Sequence, residues 1–400
     1  MATASSAAAA AARASASPPR ARDLGIPFEG TPGPLNAITD VQGVAVGQVT
    51  LIEDLKDGHK VRTGVTAILP RGHDTWDLPV FAGWFSQNGN GEMTGTHWID
   101  EGGELEGPVM LTNTHSVGLV RDAVIAERVK AGHPDATGYW WSLPVVAETW
   151  DGDLNDANGF HVRPEHVAKA LTDANGGPVA EGNVGGGTGM ICHEFKCGIG
   201  TSSRKVNESG HDYTVGVLVQ ANYGVRDPLR IAGVPVGQYL RDDRVFTDPK
   251  LWGSGTAAAP TRARLPDGIA HETGSIIVVV ATDAPLLPHQ LKRVARRATL
   301  ALGRMGSYSG NGSGDLFVAF STANRDAMND KAQQSATFVG NDHIDPVFEA
   351  TVQATEEAIV NAMIAAKDMQ GDSGHYAKAI PHDRLVALLK QFNRWQPPSK

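Results

Sequence analysis

From about Ile38 onward the chain alternates short apolar runs with glycine-rich turns and amphipathic stretches, and it shows no internal repeat. Three stretches carry helical spacing. Residues 116–131 place Val117, Val120 and Val124 on one face, with Ser116 positioned as N-cap and Gly132 at the C′ position. Residues 288–304 gather Leu291, Val294, Ala298 and Leu302 on a stripe and leave Arg293, Arg296 and Arg297 outside it. From 346 to about 367 a third helix is expected, with Asp345 as cap, Pro346 at N1, and Phe348, Val352, Ile359 and Met363 facing inward. Extended runs fall at 143–150, 213–222, 275–282 and 315–322. Val278, Val279 and Val280 run without alternation, the pattern of a strand covered on both faces. Helices sandwiching sheets, in an α/β or α+β class, follow from these elements. Residues 241–274 break the rhythm and read as a long loop of the kind that is functional or disordered. That loop ends directly at the apolar strand whose first residue is Ser275.

Composition narrows the partners. Four hundred residues suit one large domain or two, and 41% hydrophobic with 20% charged residues is a globular composition. Glycine supplies 46 positions, well above the usual figure of about 7% of residues, which favours tight turns and close backbone approaches around a ligand. With 35 basic against 44 acidic residues, a net charge of −9 and no basic run, nucleic acid is not an expected partner. The best apolar run, 276–281, is strand-sized, far below the roughly 18 residues a membrane span needs, so no membrane partner is expected and a cytoplasmic location is favoured. Residues 1–22 are Ala/Ser-rich without an acid, and their arginines follow the weak apolar run instead of preceding it. They are set outside the fold as a disordered or targeting tail, either a transit peptide or a weak export signal. Cys192 and Cys197 in CHEFKC fit a bridge, a metal pair or buried thiols, and so small a cysteine count favours buried thiols.

Several motifs dissolve on inspection. GNVGGGTG (182–189) lacks the ending of a P-loop and the register of a dinucleotide-binding helix; what it offers is backbone that can approach a neighbour closely with amides free to donate. DGDLNDANG (151–159) imitates a calcium loop, but Asp156 stands where glycine is needed and Val162 where a bidentate Glu is needed. Fourteen histidines form no HExxH and accompany no GxSxG elbow, so no metal or cofactor is expected.

Two motifs retain chemical content. In HETGSIIVVVATD (271–283) a Gly-Ser bond joins a loop to a strand, and the serine hydroxyl is placed to attack the preceding carbonyl. Cleavage there would free an α-amino group, with an ordinary pKa of about 7.7–8.0, beside the same hydroxyl; this is the logic of N-terminal nucleophile catalysis. SGNGSGD (309–315) is either only a turn or a stiff support that holds Ser313 and Asp315 at a strand entrance to orient protons.

Seven strings together resemble the L-aminopeptidase D-esterase/amidase family, which includes the β-peptidyl aminopeptidases: NGNGEMTGTHWIDEGG (88–103), LTNTHSVGLVRDAV (111–124), PVVAETWDG (144–152), GNVGGGTGMICHEFKCGIGTSSR (182–204), VGVLVQANYG (215–224), GSIIVVVATDAPLLPHQLKR (274–293) and SGNGSGDLFVAFSTAN (309–324). The resemblance spans roughly residues 25–380. It implies an α+β fold, an αββα sandwich of the kind shared with ornithine acetyltransferase and similar to N-terminal nucleophile hydrolases. A single catalytic domain, 23–400, would be self-cleaved at Gly274–Ser275 into an α chain (1–274) and a β chain (275–400), which stay together and assemble as a tetramer of αβ units.

The implied activity is that of a serine aminopeptidase or amidase acting on short peptides, amides or esters, including β-peptide or D-residue substrates, without cofactor. By motif, Ser275 is the nucleophile, Ser313 and Asp315 are its supporting network, Asn222 helps hold the oxyanion, and Glu148 holds the substrate's free amino end. Trp150 stands where some members carry a tyrosine, which makes the pocket more apolar. The 241–274 loop is longer than the family pattern, a difference that bears on the rate of self-cleavage. Two alternatives are an acyltransferase of the ornithine acetyltransferase type, whose nucleophile is threonine where this chain has Ser275, and a non-catalytic homologue, against which the retained Ser275, Asn222, Ser313 and Asp315 argue.

Overall fold

Strand pairing follows from which runs can bury both faces. The computed structural model describes residues 18–398 apart from 133, 135, 242–271, 273 and 327–331. Residues 1–17 of the tail and nearly all of the 241–274 loop therefore lie outside the described residues. The first half contains β1 (Ala45–Asp54), β2 (Lys60–His73), β3 (Val80–Gly89), α1 (Thr96–Gly102), β4 (Glu104–Leu105), β5 (Val109–Asn113), α2 (Val117–Ala131), β6 (Val145–Thr149) and α3 (Pro164–Thr172). A short hairpin, β7 (Ile191–Cys192) and β8 (Phe195–Lys196), leads into β9 (Ile199–Glu208) and β10 (His211–Asn222), followed by the short α4 (Val236–Tyr239). The last part holds β11 (Ser275–Thr282), α5 (Pro288–Arg304), β12 (Gly314–Ser321), α6 (Asp345–Ile364), a hairpin of β13 (Met369–Gln370) with β14 (Tyr376–Ala377), and α7 (His382–Gln391).

Two sheets stack. One runs β1-β2-β5-β6 and the other β4-β3-β12-β11-β10-β9. Each contains one parallel pair, β5 with β6 and β11 with β12, and each pair is joined through a helix, α2 and α5 respectively, as a parallel connection requires. The unalternating β11 explains the layering. Ile276, Val278 and Val280 pack in one core with Leu291, Val294 and Ala298 of α5 and Ile359 and Met363 of α6. Ile277, Val279 and Ala281 enter the core between the sheets with Ile68, Leu111 and Ala147. On the far side, Val120 and Val124 of α2 and Val167 of α3 cover Val65, Ala67, Met110 and Val146. Each such aliphatic side chain contributes about 1.5–3 kcal/mol on burial. The order of layers is α, β, β, α, the sandwich implied by the family resemblance.

The 116–131, 288–304 and 346–367 expectations become α2, α5 and α6, with the last ending at Ile364 instead of near 367. No side-chain cap forms at Ser116, and Asp345 lies inside the first turn of α6 instead of capping it. The strand expected at 143–150 is shorter, because Trp150 and Asp151 already turn out of the ladder. Two further expectations need correction. Part of the 1–22 segment belongs to the fold: Ala21 is buried, its N–H bonds Asn361 Oδ1 at 3.0 Å, and Arg20 and Arg22 pair with Glu181 and Glu357 at 2.7 and 2.8 Å. Buried carboxylates at those positions recruit the arginines that composition had assigned to the tail. Cys192 and Cys197, expected as buried thiols, are buried but joined in a disulfide with Cα atoms 5.4 Å apart; the tight β7–β8 hairpin brings them within bridging range.

Candidate active site

Parallel pairing brings the starts of β11 and β12 to one edge, and antiparallel pairing brings the end of β10 to the same edge. Ser275 therefore lies opposite both Asn222 and Gly314. Gly314 N–H donates to Ser275 Oγ at 3.2 Å and to the Gly274 carbonyl oxygen at 3.1 Å. One backbone donor thus addresses both the hydroxyl and the carbonyl just before it. Gly274 is required sterically as well: a Cβ there would collide with the Asn222 carbonyl oxygen and come 2.7 Å from Tyr223 Cα.

Behind this pair, Ser313 Oγ donates to Asp315 Oδ1 at 2.6 Å. Asp315 is fully buried and sits where the β12–β3 register shifts, an irregularity that turns its side chain out of the ladder's rhythm. Burial pushes its carboxyl up to about 6, against the hydrogen bonds from Ser313 and Ser309, and the nearby Glu272 charge adds to the rise. Asp315 Oδ2 has no hydrogen-bond partner. Asn222 is divided in the same way. Its Oδ1 accepts the Ile191 N–H at 2.8 Å, while its buried Nδ2 is without a partner. Ile191 opens the disulfide-bridged β7–β8 hairpin, so that hairpin sets which end of the amide is left to donate.

A cleft of about 330 Å³ opens at Ser275, lined by Asn90, Gly91, Glu92, Thr114, Glu148, Trp150 and Gly312. Glu148, from the end of β6, is buried to 3% exposure. Its Oε1 accepts the Glu92 N–H at 3.0 Å and its Oε2 accepts the Thr114 hydroxyl. Burial raises its pKa, with those two hydrogen bonds opposing. No cation faces it among these contacts, which leaves a buried carboxylate open to a positively charged group in the cleft. The Trp150 ring meets His115 edge to face, with centroids 5.4 Å apart, and gives the cleft an apolar wall. Asp151 anchors that turn from below, fully buried, accepting Asn113 Nδ2 at 3.0 Å and Asn155 Nδ2 at 3.2 Å. DGDLNDANG accordingly folds as a turn in which Asp151, Asp153 and Asn155 are buried.

Ser275, Glu148 and Trp150 thus share the cleft, while Asn222, Ser313 and Asp315 back it. Three contributors were not picked out from the sequence: Thr114, the Glu92 amide and the Gly314 amide. Thr114 and Glu92 lie in two of the family-like strings, NGNGEMTG and LTNTHS, which was the available signal. The triglycine 185–187 does not line the cleft. It is wedged between the sheets, where Gly185 and Gly186 donate to Thr50 and Thr66 hydroxyls at 2.8 and 3.1 Å, so those amides are not free. A larger groove of about 870 Å³, lined in part by Arg20, Val179, Glu181 and Met369, holds none of the residues that line or back the Ser275 cleft.

Comparison with known proteins places this arrangement. The structure of the L-aminopeptidase D-Ala-esterase/amidase from Ochrobactrum anthropi, described as a prototype of the serine aminopeptidases and a variant of the Ntn hydrolase fold, matches with a TM-score of 0.84 at 49% identity, over 94% of this chain and 99% of its own. A Burkholderia sp. β-aminopeptidase matches at 0.81 with 47% identity, over 95% and 100%. The β-peptidyl aminopeptidase BapA of Sphingosinicella microcystinivorans is 54% identical over 386 residues, 95% of this chain and 94% of that protein. The fold is that of the serine aminopeptidases, and the protein is an enzyme of the aminopeptidase/amidase class. Residues 36–377 match peptidase family S58, and the chain belongs to that family.

Proposed function

We propose that this aminopeptidase cuts its own chain at Gly274–Ser275 and then uses Ser275 as an N-terminal nucleophile. The observation that carries the proposal is the single Gly314 N–H within reach of both Ser275 Oγ and the Gly274 carbonyl. Ser275 Oγ attacks the Gly274 carbonyl carbon, the C–N bond breaks, and the hydroxyl proton passes to the departing nitrogen, leaving an ester and a free amine. Water then hydrolyses the ester to the Gly274 carboxylate and the Ser275 hydroxyl. In turnover the Ser275 amine takes the Oγ proton as Oγ attacks the substrate carbonyl and returns it to the leaving group as the substrate C–N bond breaks; water then hydrolyses the resulting acyl-enzyme, releasing the acid and restoring the Ser275 hydroxyl. Asn222 Nδ2 supplies a preorganised donor to the oxyanion, Glu148 takes the substrate ammonium, and Ser313 with Asp315 supports the nucleophile.

One feature favours chains that stay together. β11 and β12, from the β chain, lie in the middle of a sheet whose outer strands all come from the α chain, so separation would break ladders on both sides. Assembly as a tetramer of αβ units belongs to the same proposal. The names of the relatives support acceptance of β-linked N-terminal residues, in a cleft walled by Trp150. For location, a disulfide persists in oxidising compartments, so the Cys192–Cys197 bridge favours an exported protein over the cytoplasmic one expected from composition.

An intact-mass spectrum with N-terminal sequencing tests the cut. Scaling 42.2 kDa by 274 of 400 residues gives a fragment of about 28.9 kDa and leaves about 13.3 kDa, before any trimming of the tail. The smaller should begin Ser-Ile-Ile-Val; a single uncut species without turnover would favour the non-catalytic alternative. Comparing β-alanyl with α-alanyl anilides then tests the substrate class.

Gly274→Ala should slow self-cleavage by about 100-fold, because the added Cβ must push the scissile carbonyl away from Asn222, and displacements near 1 Å cost that much. Time courses of precursor loss measure it, and cutting at the native rate would refute the steric argument.

Self-cleavage precedes any free amine, so its acid limb should report Asp315: the rate falls as pH drops through about 6 and the carboxylate that accepts from Ser313 becomes protonated. The linkage has the opposite sign for stability. With its folded pKa raised, Asp315 contributes stability below its ordinary 3.8 that is lost as pH rises through 6. Precursor half-lives between pH 5 and 8, a window of about one unit below to two above that value, locate the limb; a profile flat across pH 6 would exclude Asp315.

A further inference from the structure

A peptide bond that is to be attacked must be held still from both sides. Downstream of Gly274–Ser275 the β11 ladder does this. Upstream, Glu272 is anchored by its side chain: the carboxylate is 4% exposed, its Oε1 accepts the Gly224 N–H at 2.8 Å and the Ser307 hydroxyl at 3.3 Å, and its Oε2 accepts the Gly310 N–H at 2.9 Å. A buried carboxylate is tolerated only when such donors replace its water.

The partners lie on the segments that carry the reacting groups. Gly224 follows Asn222 by two residues, and Gly310 precedes Ser313 by three and Asp315 by five. The contact with Gly310 is closely fitted, since a Cβ on that glycine would lie 2.6 Å from Glu272 Cβ. One anion therefore ties the residue three positions before Ser275 to the Asn222 turn and to the SGNGSGD turn at once. The catalytic roles assigned above make no use of it.

We infer that Glu272 is a positioning residue for self-cleavage, clamping the upstream side of the scissile bond against the Asn222 and Ser313 segments so that the Gly274 carbonyl stays beside Ser275 Oγ. The inference rests on the self-cleavage reading. In the uncut chain the clamp substitutes for the fixation that a separate substrate would obtain from Glu148, because the chain's own peptide bond has no free amine to offer.

The test follows the 42 kDa precursor of the full-length chain over time for the native protein, Glu272→Ala, Glu272→Gln and, as an uncut control, Ser275→Ala. Losing charge-assisted bonds at a positioning site should slow Glu272→Ala by roughly tenfold or more, and Glu272→Gln, which keeps one acceptor and the side-chain shape, by less. Added formate, small enough to occupy the vacated carboxylate site, should speed Glu272→Ala but not the native chain, a response that a merely structural loss would not give. Unfolding midpoints establish that the variants are folded, and if Glu272→Ala does not fold, the isosteric Glu272→Gln decides. A folded variant cut at the native rate, or a slow one indifferent to formate, overturns the role of Glu272. Absence of a cut at Gly274–Ser275 in the native chain overturns the self-cleavage reading itself, so the two failures are distinguishable.

Discussion

Ser275→Ala should leave one uncut chain of 42.2 kDa and reduce aminopeptidase turnover to background, a loss on the order of 10⁶-fold in kcat/KM. Two effects coincide. Without Oγ there is no group to attack Gly274, and without the cut there is no Ser275 amine to serve as base. The fold itself should survive, because the lost contact is one 3.2 Å hydrogen bond from Gly314, worth about 1 kcal/mol. Ser275→Cys separates the two effects: a thiol can still attack Gly274, so slow cutting with poor turnover would place the nucleophile at this atom. Peptide bond cleavage by Ser275→Ala at native rates, with the melting temperature unchanged, would move the nucleophile elsewhere and remove the basis for every role assigned around it.

How much of this was legible depended on whether the information lies in side-chain spacing or in backbone. α5 was readable to the residue because its apolar stripe is strict and Pro288 marks its start. β11 was readable because seven of its eight residues are aliphatic or small and Gly274 stops the pattern. β2 was not, although it is among the most buried strands: KVRTGVTAILPRGH mixes arginine, threonine and glycine. These polar groups are buried only because distant partners accept them, as Arg62 reaches Asp54 and the Gln370 carbonyl. Such satisfaction has no local signature. With β2 unread, the four-stranded sheet and the inner core were invisible.

The site divides along the same line. Ser275, Ser313 and Asp315 stand where glycine-rich turns enter strands β11 and β12, and their chemistry can be argued locally. Glu148 and Asn222 sit at the ends of ordinary-looking strands, and only the family-like strings mark them. The Gly314 amide, which touches both the Gly274 carbonyl and the Ser275 hydroxyl, is a backbone donor with no letter of its own. Trp150 lines the cleft beside Ser275, and its ring partner His115 is one of fourteen histidines with no motif to mark it.

The second large effect belongs to Glu148, and it separates turnover from self-cleavage. Its carboxylate is buried, held by Glu92 N–H and the Thr114 hydroxyl, and faces a cleft shared with Ser275. Both donors are neutral, so the negative charge is only partly compensated until a substrate ammonium enters. Glu148→Gln keeps the shape and removes that charge. Breaking a buried pair by neutralising one partner costs about 3–5 kcal/mol, which corresponds to a loss of about 10²–10⁴ in kcat/KM for substrates with a free amino end. Self-cleavage should proceed within a few-fold of the native rate, since the Gly274–Ser275 bond presents no ammonium, and the mature fragments should still appear. The preference for free over N-acetylated substrates should collapse in parallel, because an acetylated amine never offered the charge that Glu148 binds. Steady-state kinetics on a matched pair of free and acetylated anilides, run beside a precursor time course, measure all three. A Glu148→Gln enzyme that keeps its preference for free amines would show that another group recognises the amino end; one that fails to cut itself would show that Glu148 acts on the nucleophile and not on the substrate.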